Sequence, residues 1–336
     1  MLKKSKPWNT FIQMPESSVI IGIIIVLIIL AIFTKGQWFS SFIIAKVLRT
    51  TAFIGIIAIG QAVLVIGGEL DISVGSVYGF TGLVYIWLAG GLRREVYDHI
   101  ATGPNLGPLP AFLIVMILGL AIGFFHAILV TKAKMPSLIV TLGSMFIFRG
   151  IIYLITQGFA LIIVEELRNT VIVKILGSGS LKDFTITIFW LIAIAIVFAI
   201  VLPFTRFGNH LQAVGKDPIT ALSQGISPYK TKIIAFMICS ALVSLAGILG
   251  AGYYGAIQPS AGEGMEFESI LAAVLGGCVI GGGIGSIWGT VLGAFLLASV
   301  WNGLIMMGVP IYWYVTFVGV AFILIMMSKK FVGRKI

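Results

Sequence analysis

Apolar runs of about 20 residues recur along almost the whole chain, and they limit the folds that it can adopt. Ten runs are present, at residues 19–33, 44–66, 74–91, 110–131, 137–156, 185–204, 231–252, 268–283, 286–307 and 311–328. An α-helix needs about 20 predominantly apolar residues to cross the hydrocarbon core of a bilayer. The runs therefore predict an all-α polytopic membrane protein with about ten transmembrane helices.

The composition excludes the main classes of soluble protein. Of the 336 residues, 59% are hydrophobic and only 10% are charged, whereas an average soluble domain has about 25% charged residues. The net charge of +10 resides mainly at the ends of the apolar runs, which favours a topology signal over nucleic-acid binding. Cys239 and Cys278 both lie inside apolar runs, so we expect no disulfide.

The distribution of charge predicts the orientation of the chain. No small-residue cleavage site follows the first run, so we interpret it as a retained span rather than a signal peptide. Ten spans place both termini on one side, which would carry thirteen Lys and Arg residues against eight on the other. The positive-inside rule assigns that side, with the loop 205–230, to the cytoplasm. Residues 157–184 and 253–267 would then face the exterior.

The loops are too short to form a soluble domain with a core of its own. We therefore expect residues 1–336 to form a single transmembrane domain. The third and eighth runs are short and are interrupted by glycine. This pattern is typical of broken or re-entrant helices, which a membrane protein tolerates where other parts of the protein bury them.

Glycine is abundant, with 41 residues, and part of it is regularly spaced. The row that recurs at every fourth position consists of Gly277, Gly281, Gly285, Gly289 and Gly293. Within one helix this row would form a close-packed seam, along a pathway or at a subunit interface. The alternative is ordinary helix packing, with the row interrupted by a turn near residues 282–285.

Motifs for catalysis, nucleotide binding and metal binding are missing from the sequence. Gly215-Lys216 is followed by Asp217 and lacks the glycine that the motif needs five positions upstream, so it is not a phosphate-binding Walker loop. A dinucleotide fingerprint needs a preceding strand, which the glycine-rich run 281–285 does not have. The three histidines have no partner at zinc-ligand spacing. We therefore expect no catalytic residue, metal or cofactor in this chain, and any ATP hydrolysis would occur on a separate subunit.

The segment 67–76 combines two acids with small residues between the second and third runs. It contains Glu69, Asp71, Ser73 and Gly75. Asp71 and Ser73 favour a cap at the start of the third helix, because a side-chain oxygen accepts from free N–H groups and an acid suits the helix dipole. The alternative is a proton- or cation-binding site, but no basic partner lies nearby in the sequence.

The cytoplasmic loop 205–226 has the pattern of a short docking helix. Gly215 can end one helix, and Asp217 followed by Pro218 predicts the start of another. Apolar residues then recur on one face of that second helix, at Ile219, Leu222 and Ile226. Such a face is typical of a segment that a partner holds in a groove. The alternative is a solvated loop.

Polar residues inside or next to the apolar runs are candidates for a translocation path. The outer stretch 253–268 carries acids, tyrosines and a glutamine, which suits polyhydroxyl recognition, docking of a soluble protein, or a solvated loop that enters a helix. A lone polar residue in a span, such as His126, lines a pathway or makes a structural hydrogen bond. The candidates for the path are Gln61, Arg149, Gln258, Glu266 and Asn302.

Several spaced motifs carry a family resemblance over nearly the whole chain. The first is Glu69-Leu70-Asp71-Ile72-Ser73-Val74-Gly75-Ser76. The second consists of Gly208, Ala213, Gly215, Asp217, Ala221, Gly225 and Ile226. The third begins with Gln258, Pro259, Gly262, Gly264 and Glu266, and continues through Ala272, Gly276, Gly277, Gly282, Gly283, Gly285, Gly289 and Thr290. In these motifs and in their order, the chain resembles the permease subunit of bacterial ABC importers for ribose and related monosaccharides.

The resemblance implies the ten-helix architecture of the vitamin-B12-importer type, a type II importer, in the lipid of a bacterial inner membrane. Two permeases, identical or paralogous, would pair with two cytosolic ATP-binding-cassette ATPase subunits. An extracytoplasmic solute-binding protein would deliver a monosaccharide or a similar small polyol. Import would proceed by alternating access.

The resemblance also implies a coupling helix for the ATPase in the cytosolic loop. The residues expected to form or support it are Arg206, Gly208, Ala213, Gly215, Asp217, Ala221, Gly225 and Ile226. We expect Gly215 to provide backbone freedom and Asp217 to cap the helix. Ala221 and Gly225 would allow a close approach of the partner.

Departures from the family pattern leave the solute open. The outer loop from Arg93 to Pro110 is longer and more charged than usual, and Glu263 and Glu268 add acids around Glu266. Alternatives within the class are permeases for nucleosides or branched-chain amino acids. An ion-coupled secondary transporter is a further alternative, but it would need ionisable groups near the midplane, where Arg149 is the only charged candidate.

Overall fold

The computed structural model describes residues 16–90, 103–310 and 312–332. Its main helices are α1 (Ser17–Phe33), α2 (Ser41–Ile66), α3 (Val74–Ala89), α4 (Pro108–Thr131), α5 (Ser137–Thr156), α6 (Ile186–Phe204), α7 (Arg206–Lys216), α8 (Pro218–Ser223), α9 (Pro228–Tyr254), α10 (Met265–Leu275), α11 (Ile287–Met306) and α12 (Tyr312–Val332). Short helical turns lie at Gln37–Phe39, Glu165–Arg168, Val171–Val173 and Lys174–Ser178. Four two-residue strands are β1 (Leu161–Ile162), β2 (Ser180–Leu181), β3 (Phe184–Thr185) and β4 (Ala256–Ile257).

Every predicted apolar run contains a helix, so the prediction of a helical polytopic membrane protein is confirmed. Within the described residues, six helices are long and apolar enough to cross a bilayer, namely α2, α4, α5, α6, α9 and α11. The apolar helices α1 and α3 are shorter, as is the apolar part of α12. The eighth run, 268–283, is helical only in its first half, as its glycines indicated, because α10 ends at Leu275 and the following glycines leave the helical conformation. Gly282 and Gly283 have φ of +83° and +81°.

The helix ends define two faces. The inner face carries the loops 132–136, 205–227 and 276–286, and Glu69 forms an ion pair there with Lys232. The outer face carries residues 157–185, and β1 pairs there with β4 in an antiparallel register that sets Leu161 opposite Ile257. The predicted positions of the two termini and of residues 91–102 lie outside the described residues.

The helices α2 and α9 form the centre of the bundle. Every residue of α2 from Thr51 to Ile66 is buried, as expected for a helix that is apolar on all sides. The helix α9 packs against α2, α3 and α4. A Cβ at Gly60 would contact the backbone of Cys239, and one at Gly247 would contact the carbonyl of Tyr78. Small residues at the crossings therefore allow the close backbone contact that associates helices in lipid.

The row of glycines from 277 to 293 is not one helical seam. Only Gly289 and Gly293 share a helix, α11, because residues 276–286 form a loop. A Cβ at Gly289 would collide with the carbonyl of Gly276, and one at Gly293 with the carbonyl of Ala272. The arrangement is therefore ordinary close packing of α10 on α11, interrupted by a turn.

Candidate functional site

Two helices of the bundle are too short to cross a membrane. At 1.5 Å per residue, α3 with 16 residues is about 24 Å long and α10 with 11 residues is about 16 Å long, whereas the hydrocarbon core is about 30 Å thick. Their first turns meet inside the bundle, since a Cβ at Gly75 would collide with the carbonyl of Gly262 and with the Glu266 carboxylate. The eighth run of the sequence is thus cut short as α10, whereas the third run forms one continuous short helix, α3.

The segment 258–264 enters the bundle between β4 and α10. The carbonyl groups of Ala261 and Gly262 lie against α3, in the space that a Cβ at Gly79 or Gly75 would need. The residues of α3 that make room for the segment are Gly75 and Gly79. Gly75 and Gly79 are four residues apart, so the contact with the segment extends over about 6 Å of α3. Gln258, Ser260 and Glu263 are exposed while Gly262 is buried, which fits the interpretation of this stretch as a partly solvated loop that enters a helix. The exterior position of 253–267 stays a prediction.

Arg149 anchors this re-entrant segment. Its Nη1 atom donates hydrogen bonds of 2.9 Å to the carbonyl oxygens of Pro259 and Ala261. Nearby, the Tyr153 hydroxyl donates to Glu263 Oε1 at 3.4 Å. Unwound backbone inside a membrane needs internal partners because lipid supplies none. Arg149, a candidate for the translocation path, thus satisfies unpaired carbonyl groups.

A buried polar cluster lies in the inner half of the bundle. The His126 side chain on α4 places Nδ1 at 3.5 Å from Asp71 Oδ2 and Nε2 at 2.8 Å from the Ser144 hydroxyl. Gln61 donates from Nε2 to the Asp71 carbonyl at 3.2 Å. Asp71 and His126 are almost completely buried. Sequence reasoning found no basic partner for Asp71, since His126 lies 55 positions away, although a histidine inside an apolar run was a visible signal.

The predicted cap at the start of α3 has a different form. Asp71 Oδ1 accepts from the backbone N–H of Ser73 at 2.7 Å and from the Ser73 hydroxyl at 2.5 Å. No side chain accepts from the first-turn N–H groups of α3. Asp71 therefore stabilises the turn that precedes the helix, and His126 provides its second contact. Glu69 turns to the inner face, where it meets Lys232.

The helix α8 carries an exposed apolar pair at the inner face. Asp217 Oδ1 accepts from the backbone N–H groups of Ile219 and Thr220 at 2.9 and 3.3 Å, so the predicted start at Asp217-Pro218 is present. Hydrogen bonds from the Thr220 side chain and from these N–H groups lower the pKa of the Asp217 carboxyl. Ile219 is 82% exposed and Leu222 is 62% exposed. The third residue of the predicted face, Ile226, is partly buried.

The structure exchanges the roles predicted for two glycines of this loop. Gly215 is helical, and a Cβ there would collide with the carbonyl of Ile66, so close packing excludes a side chain. Gly225 has φ of +81° with nothing within 4 Å of a Cβ, so it provides backbone freedom instead. Ala221 is only 2% exposed, which means that it packs inside this chain. These three residues thus shape the loop 205–226 from within.

The remaining residues predicted to serve coupling lie on α7. Thr205 starts this helix and accepts from the N–H of Gly208 at 3.4 Å. A Cβ at Gly208 would collide with the carbonyl of Leu202, so α7 packs tightly against the end of α6. Arg206 is exposed and Ala213 is partly buried. The helix α7 therefore fixes the position of α8 relative to the bundle.

The five candidates for the path do not converge on one site. Gln61 belongs to the inner cluster and Arg149 to the re-entrant segment. Asn302 donates to the Thr50 hydroxyl at 3.3 Å and to the Ala298 carbonyl at 2.9 Å. Gln258 is exposed at the outer face, and Glu266 is buried in the first turn of α10. These five polar residues therefore lie at separate places in the structure and do not form one continuous path.

A cavity of about 190 Å³ lies in the outer half of the bundle. Its polar and aromatic lining residues are Thr50, Phe53, Tyr254, Glu263, Glu268, Trp301 and Tyr314. They come from α2, α9, the re-entrant segment, α10, α11 and α12, so the cavity joins elements that are distant in the chain. None of these residues is among the five candidates for the path, although Tyr254, Glu263 and Glu268 belong to the outer stretch 253–268 whose acids and tyrosines suit polyhydroxyl recognition.

A family described as branched-chain amino acid transport system / permease component matches residues 43–326 of this chain. The inner membrane ABC transporter permease protein YjfF of Escherichia coli is 34% identical over 256 residues, which cover 76% of this chain and 73% of that protein. The xylose transport system permease protein XylH of Haemophilus influenzae is 29% identical and covers 88% of this chain and 90% of its own length.

A third relative is the autoinducer 2 import system permease protein LsrC of Photorhabdus luminescens. It is 30% identical over 280 residues, which cover 82% of this chain and 78% of that protein. No solved structure matches the chain. The similarity therefore comes from sequence, and it spans most of the length of each relative.

Proposed function

Because the chain belongs to the family of branched-chain amino acid transport system permease components, we propose that it is the membrane subunit of an ABC importer for a monosaccharide. Its relatives include a permease named for an ABC transporter and one named for xylose transport. The chain is then a transport subunit, and ATP hydrolysis takes place on a separate partner.

The observation that carries the proposal is the apolar tip of α8. Ile219 and Leu222 expose 82% and 62% of their surface on a capped helix at the inner face. Fully burying one such side chain stabilises a complex by about 1.5–3 kcal/mol. A groove on a cytosolic ATPase would cover both side chains, which gives the tip the properties of a helix-in-groove ligand.

A continuous set of backbone contacts would carry motion from this tip into the bundle. The end of α7 packs through Gly215 against Ile66 of α2 and against the loop 276–286. In the same place, the N–H of Gly283 donates to the Ile66 carbonyl at 2.8 Å. That loop directly follows α10 in the chain, and the first turn of α10 borders the outer cavity. Movement of α8 by the ATPase would therefore reach the cavity through α10, as alternating access requires.

The family description favours a second candidate, a permease for branched-chain amino acids. An amino acid brings a carboxylate, which needs a cationic or N–H partner when it leaves water. Among the described residues that line the outer cavity none is basic, and two are the acids Glu263 and Glu268. Carboxylates accept hydrogen bonds from hydroxyl groups. The cavity thus supports a neutral polyhydroxyl solute better than an amino acid.

The assembly proposed for transport has several parts. Residues 1–336 form one transmembrane domain in a bacterial inner membrane, with both termini and the inner face in the cytoplasm. Two permeases, as a homodimer or with a paralogue, bind two ATPase subunits below and a solute-binding protein above. In this orientation, cysteines introduced at Lys216 and at Lys182 react with impermeant reagents from opposite sides of the membrane, and labelling of both from one side would contradict it.

The experiment for ATPase docking uses the affinity-tagged chain, purified from membranes of its native host. Replacing Ile219 and Leu222 together with glutamine removes the apolar tip without touching the bundle. We expect the binding free energy to fall by about 3 kcal/mol, which weakens the affinity for the ATPase roughly a hundredfold. The ATPase activity that co-purifies with the chain should therefore be lost. Leu181→Gln is the matched control, since Leu181 is 67% exposed at the outer face.

Unchanged ATP hydrolysis in the double variant would remove α8 from the coupling interface. Uptake of solute by the chain alone, driven by an ion gradient without any ATPase, would replace the proposal with the secondary-transporter alternative. In that case the buried pair of Asp71 and His126 would be the first ionisable groups to test.

A further inference from the structure

The outer cavity combines the two kinds of surface that a monosaccharide needs. Trp301 and Tyr314 form one wall, with ring centroids 4.7 Å apart and planes at 85°. Glu263 and Glu268 contribute carboxylates. Its volume of about 190 Å³ is below the roughly 300–1,000 Å³ of pockets for drug-sized ligands. The cavity therefore fits a single small solute.

Tyr314 carries a polar group with no assigned role inside this cavity. Its side chain is 2% exposed, and its hydroxyl has no hydrogen-bond partner among the residues that the structure describes. The hydroxyl lies beside the Glu268 carboxylate without reaching hydrogen-bond geometry. A buried hydroxyl that lacks a partner costs free energy. A ligand that supplies the missing partner would recover that cost on binding.

The two acids of the cavity differ in their availability. Glu263 already accepts from the Tyr153 hydroxyl at 3.4 Å. Glu268 lies on α10 and faces the cavity between Tyr314 and the re-entrant segment. Thr50 donates to the Lys46 carbonyl and accepts from Asn302. Glu268 and Tyr314 are therefore the groups best placed to meet a solute.

We propose that this cavity is a docking site for a neutral monosaccharide on the permease itself, which rests on the proposed function and assigns it a substrate site. Hydroxyl groups of the sugar donate to the Glu268 carboxylate, and a sugar oxygen accepts from the Tyr314 hydroxyl. The apolar C–H face of the sugar packs on the Trp301 ring. A site built to hydrogen-bond hydroxyl groups rejects analogues that lack them.

The position of Glu268 links this site to coupling. Glu268 lies in the first turn of α10, and the other end of α10 leads into the loop that contacts Gly215. A sugar bound to Glu268 would therefore contact α10, the helix that movement of the loop 276–286 would displace. Occupancy of the cavity and the position of the coupling loop would thereby depend on each other.

The test measures binding to the full chain in lipid nanodiscs by saturation-transfer difference NMR. The probes are D-xylose, D-ribose and L-leucine. We expect both sugars to give a signal that L-leucine does not, and we expect Glu268→Gln to weaken the binding of D-xylose about tenfold or more. Tyr314→Phe keeps the ring packing and removes only the hydroxyl, so it should weaken binding about threefold to tenfold.

Tyr85→Phe is the matched control, because Tyr85 is 0% exposed and its hydroxyl also lacks a partner, but it lies in a separate part of the core. Thermal unfolding of each variant establishes that it is folded. Absence of a sugar signal in the wild type, equal binding in wild type and Tyr314→Phe, or preference for L-leucine would each overturn the assignment.

The two proposals can fail separately. If ATP hydrolysis still co-purifies with the chain while no sugar binds, the cavity assignment fails and the importer stands. If the sugars bind as expected but no ATPase associates, the cavity assignment stands and the importer fails.

Discussion

Gly215→Ala tests the contact through which we expect the inner helices to reach the transmembrane bundle. The added methyl group would collide with the carbonyl oxygen of Ile66 and would lie close to the N–H of Gly283. These two groups form the 2.8 Å hydrogen bond that connects α2 to the loop 276–286. The substitution therefore acts on three backbone segments at once, although it adds a single carbon.

The magnitude follows from the two effects of this carbon. Overpacking of a tight contact costs about 1–3 kcal/mol, and loss of one hydrogen bond costs about 1 kcal/mol more. We expect about 2–4 kcal/mol in total, most of which α7 can relieve by moving away from the bundle. Since every 1.4 kcal/mol is tenfold in an equilibrium, the docked position of α7 would become at least about tenfold less populated.

The assay compares ATP hydrolysis stimulated by solute in the reconstituted importer with thermal unfolding of the purified chain. Gly143→Ala is the matched control, because Gly143 is inside α5 with nothing within 4 Å of a Cβ. There, alanine should be neutral or stabilise the helix by about 1 kcal/mol. We expect Gly215→Ala to lose stimulated hydrolysis while it inserts into the membrane normally. If the two variants behaved alike in both measurements, the contact at Ile66 would not be a coupling contact.

Three further predictions concern the polar anchors. Asp71→Ala should lower the stability of the chain by about 1–3 kcal/mol more than Asp71→Asn, because asparagine still accepts from Ser73; equal melting temperatures would contradict this. Arg149→Met should increase the accessibility of a cysteine at Ser260, because the segment loses two hydrogen bonds, and unchanged labelling would refute the anchor. Asp217→Ala should weaken ATPase association more than Asp217→Asn. The pKa of Asp217 is lowered in the folded chain. Its contribution to stability is therefore fully present above the pKa of the unfolded chain, near 3.9, and is lost only as the pH falls through the pKa of the folded chain. Association of the wild type with the ATPase should not change between about pH 6 and 8.

Local signals in the sequence predicted the helices and their starts well. Length and apolar character were sufficient for the spans, and the Asp217-Pro218 pair correctly placed the start of α8 at Pro218. The short runs with several glycines also indicated the two short helices, α3 and α10. These features depend on residues within one or two turns of each other, so the chain itself contains the whole signal.

The structural roles of glycine could not be predicted from neighbouring residues in the sequence. A glycine is required either by a positive φ or by a neighbouring backbone, and the residue type is identical in both cases. Gly215 and Gly225 were therefore assigned the wrong way round, because the neighbour of Gly215 is Ile66, 149 positions earlier in the chain. The partnership of Asp71 with His126 was missed for the same reason. Only the packing of α4 beside the start of α3 brings the two side chains together.

The polar residues within the bundle divide into two groups by what they contact. Arg149 and Gln61 donate to backbone carbonyl groups next to the breaks before α10 and α3, where lipid could offer no partner. Such residues are required by any broken helix, whatever the solute. Glu268 and Tyr314 instead line the outer cavity. A broken helix does not explain them, and a solute with hydroxyl groups does. The intramembrane polar residues most obvious in the sequence therefore hold the fold, while the residues proposed to meet the solute lie where six separate elements come together.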